Sequence, residues 1–239
     1  MKIKIAHLYP DLLNLYGDNG NITALTYRMQ RRGIDSEVIE YKINDEIDFE
    51  NTDIVFIGGG SDRELKMVCQ KMCTFKNRLI EYAENGGCIL AVCGGFQILG
   101  NYYMLGNEKI EGTGVLDIHA DHSSERLIGD ILIESELTGS TVVGFENHAG
   151  RMDIGSYAPL GRVISGHGNN GESGFEGVVY KNIIASYLHG PLLPKNPKLT
   201  DHIIAKAIEK RYGKAELAPL DDTLEMLAHQ YIVNKLSGK

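Results

Sequence analysis

The chain has 239 residues, about 1.6 times the usual ~150 residues of a domain and enough to bury a sizeable core. Its 43% hydrophobic and 23% charged residues sit near globular averages, which excludes wholesale disorder and fibrous repeats. The formal net charge is −8 and the densest basic spots are Arg31-Arg32 and Lys210-Arg211, so no nucleic-acid partner is expected.

In chain order, Lys2–His7 predicts a first strand. Ile22–Arg32 predicts an amphipathic helix, with Asn19 or Asn21 to cap it and Gly33 to end it, and Ser36–Tyr41 a second strand. Asp53–Ile57 is an apolar strand running into Gly58-Gly59-Gly60, followed by a helix over Asp62–Glu84 that stops at Gly86-Gly87. Cys88–Val92 is a continuous apolar run suited to a central buried strand, and Cys93-Gly94-Gly95-Phe96-Gln97 leads from it into a short helix. From about Lys109 to Leu188 the pattern changes to short strands, among them Gly129–Ile133, Thr141–Phe145, Gly177–Tyr180 and Ile183–Leu188, expected to extend and edge the same sheet. Helices over Thr200–Tyr212, capped by Thr200 and closed by Gly213, and over Asp222–Leu236 complete the chain. Strands alternating with helices argue for an α/β fold, a mostly parallel sheet flanked by helices. With no internal repeat or low-complexity linker, one domain is expected over residues 1–239.

No apolar stretch approaches the ~18 residues of a membrane span, so the chain is read as cytoplasmic with no direct membrane insertion. Cys69, Cys73, Cys88 and Cys93 are read as thiols, and no paired Cys or His spacing completes a zinc set, so no metal is expected.

A strand, a sharp turn carrying a nucleophile between small residues, and then a helix make a nucleophile elbow, and Cys93 occupies that place. Its chemistry needs a thiolate, which a helix N-terminus and a nearby histidine both favour. The Gly94 amide, with a glycine amide of the neighbouring strand end, Gly59 or Gly60, would supply an oxyanion hole. A cysteine at a strand end serves equally well as one more buried thiol, so the elbow alone leaves both roles open.

The stretch Ala91-Val92-Cys93-Gly94-Gly95-Phe96-Gln97 resembles the nucleophile motif of class I glutamine amidotransferases, in the Cys-Gly-Gly-aromatic-Gln form of the cobyric acid synthase-like branch. Ala185-Ser186-Tyr187-Leu188-His189-Gly190-Pro191 is similar to that branch's small-Tyr-Leu-His-Gly segment. The resemblance implies a flavodoxin-like α/β fold with Cys93 as nucleophile, His189 as general base and acid, and Arg126 holding the substrate glutamine. Gln97 would contact the substrate or brace the elbow. Gly144–Arg151 resembles the branch's Gly-Tyr-Glu-x-His-x-Gly segment, which leaves Glu146 and His148 as pocket-shaping residues or as parts of a structural turn.

Leu8-Tyr9-Pro10-Asp11 and the following residues to Asn21 look like the opening of glutaminase subunits of lipid II isoglutaminyl synthases. That narrower resemblance implies a heterodimer with a Mur-ligase-like, MurT-like subunit. The partner would use ATP and Mg²⁺ to amidate the D-glutamate of the lipid II stem peptide with ammonia made here; no cofactor is expected on this chain, which has no Gly-x-x-x-x-Gly-Lys-Ser/Thr loop. Two other readings fit the motifs: the glutaminase component of a different, cobyrinate-type amidotransferase, and a non-catalytic interaction subunit. One departure stands out, because Gly190 and Pro191 follow His189 where class I members carry a Glu two residues on. An imidazole without an orienting carboxylate loses tautomer control, so the third acid is expected from the partner subunit.

Overall fold

A computed structural model describes residues 1–238. In chain order the first half reads β1 (Lys2–Leu8), α1 (Asn19–Gln30), β2 (Asp35–Tyr41), β3 (Ile54–Ile57), α2 (Asp62–Cys73), α3 (Lys76–Glu84), β4 (Cys88–Val92) and α4 (Gly94–Leu99). Then come β5 (Tyr102–Leu105), β6 (Glu108–Glu111), β7 (His119–Ser135), β8 (Ser140–Asp153), β9 (Gly161–Ser165), β10 (Phe175–Glu176), β11 (Val178–Tyr180), β12 (Ile183–Ser186), α5 (Pro197–Tyr212) and α6 (Thr223–Leu236).

The first sheet has the order β11-β12-β4-β3-β1-β2, parallel throughout except for β11. Every residue of β3, β4 and β12 is buried, because helices cover both faces, and this is why these segments read as unbroken apolar runs. Val55 and Ile57 point to the side packed by Leu65, Val68 and Met72 of α2 and Leu79 of α3. Ile54 and Phe56 point to the other side, packed by Leu25 and Met29 of α1 and by Ile204 and Ile208 of α5. Each fully buried aliphatic side chain contributes about 1.5–3 kcal/mol relative to exposure. The carboxyl ends of β3, β4 and β12 therefore lie side by side, leading into Gly58–Gly60, Cys93 and Tyr187–His189.

Two expectations need correction. The strands between Lys109 and Leu188 do not all join this sheet: β5 to β10 build a second, largely antiparallel one, ordered β10-β9-β7-β5-β6 with β8 paired to β7, and only β11 and β12 return to the first. The physical reason is the short turn between β7 and β8. It allows the two long strands to pair with each other as a hairpin, whereas joining a parallel sheet needs a crossover. The helix expected over Asp62–Glu84 is likewise two helices, because Phe75 leaves helical geometry (φ −125°, ψ 20°) and its ring packs on Phe49.

At the carboxyl end of the chain, Pro197 opens α5 and Thr200 is a helix residue, its hydroxyl donating to the Leu193 and Asn196 carbonyls; Gly213 ends the helix in the left-handed conformation. Helix α6 leaves the apolar positions Leu224, Leu227 and Tyr231 exposed and buries His229, which bonds the Thr141 hydroxyl and the Lys195 carbonyl. Among the described residues no helix is long and apolar enough to cross a membrane.

Candidate active site

Cys93 joins β4 to α4 with φ 51° and ψ −107°, a conformation that costs a non-glycine residue about 1–3 kcal/mol. The surroundings enforce it: the Cys93 N–H donates to the Ser186 carbonyl (2.8 Å), tying the elbow to β12, and the Cys93 carbonyl accepts from Gln97 N–H (3.3 Å). The following glycines are there for closeness, since a Cβ on Gly95 would stand 2.6 Å from the Ile57 carbonyl oxygen. As the first residue of a helix, Gly94 has an N–H outside the helical ladder.

His189 lies just beyond β12, fully buried. Its backbone exchanges two hydrogen bonds with Phe145 of β8 (2.8 and 3.2 Å), so the second sheet holds the histidine that the first one carries. The ring sits beside Cys93: a Cβ built on Gly59 would lie 3.0 Å from His189 Cε1 and 3.1 Å from Cys93 Cβ. His189 Nδ1 is 3.3 Å from Oδ1 of Asp18, itself fully buried, and His189 Nε2 has no hydrogen-bond partner among the described residues. Burial pushes the imidazole down, but the Cys93 thiolate and the Asp18 carboxylate outweigh it and raise the pKa to about 10. The carboxylate at Nδ1 fixes the N–H there, so it is Nε2 that takes the thiol proton, and the raised pKa favours the imidazolium–thiolate pair once that proton has moved.

The pattern downstream of His189 gives no sign of Asp18, which places a carboxylate of this chain itself beside Nδ1. It stands between the turn Leu15–Gly17 and α1, in a loop after β1 that reaches the same sheet edge as Cys93. The available signal was an acidic residue within the motif-bearing stretch Leu8–Asn21.

Asp18 also corrects the oxyanion assignment. The Gly59 N–H donates to Asp18 Oδ2 at 2.7 Å, so it is already committed. Gly59 instead makes room where Cys93, His189 and Asp18 converge, and Gly60 and Gly94 line the open cleft beside Cys93.

Arg126 reaches that cleft from β7, at an irregularity of the second sheet. Between the pairs His122↔Gly150 and Leu127↔His148, residues 123–126 stand opposite the single Ala149. Its Nε donates to Asn147 Oδ1 and its Nη2 to the Asn147 carbonyl, each at 2.8 Å. Arg126 makes no ion pair among the described residues, and Asp130, further along β7, pairs with Lys235. Gln97 lines the cleft and donates to the Tyr187 hydroxyl (3.1 Å), bracing the elbow against the His189 segment. Glu146 and His148 belong to strand β8 rather than to a turn. The Glu146 carboxylate accepts from the N–H groups of His167 and Gly168, and the His148 ring stacks on Tyr187 with centroids 3.6 Å apart. Burial pushes the His148 imidazole down. Cys69 and Cys73 lie away from this cleft and donate to the carbonyls of Glu111 and Gly112.

Residues 4–197 match the CobB/CobQ-like glutamine amidotransferase domain family. The chain is 42% identical over 235 residues, 98% of its length and 96% of the relative's, to the lipid II isoglutaminyl synthase (glutamine-hydrolyzing) subunit GatD of Staphylococcus aureus. It is 40% identical over 235 residues, 96% of its length and 90% of the relative's, to the subunit of the same name from Streptococcus pneumoniae. Among solved structures, a glutamine amidotransferase from Thermotoga maritima superposes with a TM-score of 0.56 at 13% identity, covering 99% of this chain and 94% of that one, a likeness of fold.

Proposed function

The chain belongs to the CobB/CobQ-like glutamine amidotransferase family, and we propose that it is the glutamine-hydrolysing subunit of a lipid II isoglutaminyl synthase. The observation that carries this reading is the buried contact of His189 with Asp18 beside an elbow cysteine, in one cleft with Arg126. His189 Nε2 takes the Cys93 thiol proton and the thiolate attacks the side-chain carboxamide carbon of glutamine. The negative charge that develops on the carboxamide oxygen is met by the N–H of Gly94 and that of Gly60, each such donor being worth ~10²–10³ in rate. The imidazolium returns its proton to the nitrogen, the C–N bond breaks, ammonia leaves, and a γ-glutamyl thioester remains on Cys93. Water then adds to the thioester with His189 as base, and C–S cleavage releases glutamate and regenerates the thiol. Asp18 keeps the Nδ1 proton in place through both halves and stabilises each imidazolium. Arg126 takes the α-carboxylate of glutamine.

Ammonia is useful only to a partner that activates a carboxyl group. We assign that role to a Mur-ligase-like, MurT-like subunit using ATP and Mg²⁺, which amidates the D-glutamate of the lipid II stem peptide in the cytoplasm. The relatives' description as subunits supports a partner. Because Asp18 lies within this chain, the chain by itself is expected to hydrolyse glutamine measurably, and the partner to raise the rate by delivering an acceptor for the ammonia. Glutamate release by the purified chain, alone and with a co-expressed Mur-like subunit, ATP and lipid II, tests this. Release accompanied by amidated lipid II supports the reading, and release with no transfer to lipid II overturns its synthase part.

A further inference from the structure

The segment that supplies Asp18 also borders the cleft, which Leu15 lines. Tyr16, two residues earlier, adopts φ 56°, a left-handed conformation that is uncommon for a bulky residue and has a cost. That conformation brings the Tyr16 ring against His189 (centroids 4.9 Å apart) and its hydroxyl onto Asn147, whose Nδ2 donates to it. The same Asn147 side chain accepts from Arg126 Nε through Oδ1. Arg126 Nε is a donor only and so calls for the Oδ1 end of the Asn147 amide, while the Tyr16 hydroxyl holds the Nδ2 end and pins the side chain with Oδ1 on Arg126.

This fixes the guanidinium as well. The Nε and Nη2 edge of Arg126 is spent on Asn147 Oδ1 and the Asn147 carbonyl, which leaves the Nη1 and Nη2 edge as the pair of donors available to a carboxylate. Without the Tyr16 hydroxyl the Asn147 side chain loses its second anchor, its Oδ1 is free to swing off Nε, and the fork loses its aim. We propose that Tyr16 and Asn147 are positioning residues that aim Arg126 at the α-carboxylate of glutamine, so that the loop orienting His189 also sets substrate affinity. The proposal rests on the glutaminase reading given above.

The test is steady-state glutamate release by the wild-type complex and by complexes carrying Tyr16→Phe or Asn147→Asp. Tyr16→Phe keeps the ring over His189 and removes only the hydroxyl. It is expected to raise KM for glutamine roughly tenfold, equivalent to about 1.4 kcal/mol, with kcat within about twofold. Asn147→Asp places a carboxylate on Arg126 in competition with the substrate and is expected to raise KM further. In an Arg126→Lys background, where the fork is gone, Tyr16→Phe is expected to add nothing further. The rate of Cys93 alkylation by iodoacetamide, which has no carboxylate, is expected to be unchanged in both single variants. An unchanged KM in Tyr16→Phe, a loss confined to kcat, or additivity with Arg126→Lys would each overturn the proposal. Absence of glutamate release by the wild-type complex would instead overturn the glutaminase reading on which it rests.

Discussion

Replacing Asp18 with asparagine changes the site by one atom and a charge while preserving its volume. The carboxylate accepts from Gly59 N–H at Oδ2 (2.7 Å) and faces His189 Nδ1 at Oδ1 (3.3 Å). Asparagine can accept at only one of these places. If its oxygen keeps the Gly59 bond, its NH₂ faces His189 Nδ1, which must then present a lone pair. The ring proton moves to Nε2 and the base that should take the thiol proton is lost. If the amide turns the other way, its NH₂ meets the Gly59 N–H and the loop is pushed off the sheet edge. Losing the tautomer alone at an otherwise intact serine-protease triad costs about 10⁴ in kcat. The longer contact here sets the expectation at a fall of roughly 10²–10⁴, with glutamine KM within about threefold. Glutamate release measured with the partner subunit at saturating glutamine reads this directly. A kcat within about threefold of wild type would show that Asp18 does not orient His189.

Two further substitutions probe the packing around the site. Gly59→Ala adds a Cβ 3.0 Å from His189 Cε1 and 3.1 Å from Cys93 Cβ, and is expected to lower kcat about 10²-fold by spreading the pair, with the fold retained by circular dichroism; wild-type turnover would contradict the crowding described. Glu176 is fully buried, accepts from the Ser186 hydroxyl and the Tyr187 N–H, and is pushed by burial from 4.5 up to about 7. Between those values the folded state holds a proton that the unfolded state has lost. Stability therefore declines as pH rises through this window, by about 3 kcal/mol in all, and the cost is complete above about pH 7. Glu176→Gln retains an oxygen for both donors and removes the titration, so urea unfolding at about pH 5 and 8 should show a smaller decline in the variant; equal declines would refute the assignment.

Much of the site was legible because its residues sit where local pattern and motif coincide. The Cys88–Val92 run needed only its apolar continuity to be read as a buried strand, and an elbow after it follows from Cys93-Gly94-Gly95. His189 was legible as the end of another apolar strand. What escaped was set by tertiary approach. Asp18 is far from His189 in sequence and meets it only because β1 and β12 end at the same edge. The Gly59 amide was assigned to the oxyanion because a glycine at a strand end has a bare N–H, but whether that N–H is free depends on Asp18. The second sheet escaped for a related reason: alternation marks a strand without naming its partner, and β7 paired with β8 through a short turn rather than joining the β12 edge. Arg126 at the β7 irregularity and its tie to Asn147 lie beyond any periodicity.

Catalysis at this elbow requires Cys93 to carry the substrate's acyl group. Acid quenching of the complex during turnover of isotopically labelled glutamine, followed by mass spectrometry of the peptide containing Cys93, tests it most directly. The account predicts a γ-glutamyl thioester on Cys93 that disappears when excess unlabelled glutamine is chased through, with no adduct and no glutamate release in Cys93→Ala. Glutamate release that persists in Cys93→Ala, or a labelled adduct on any other residue, would contradict it.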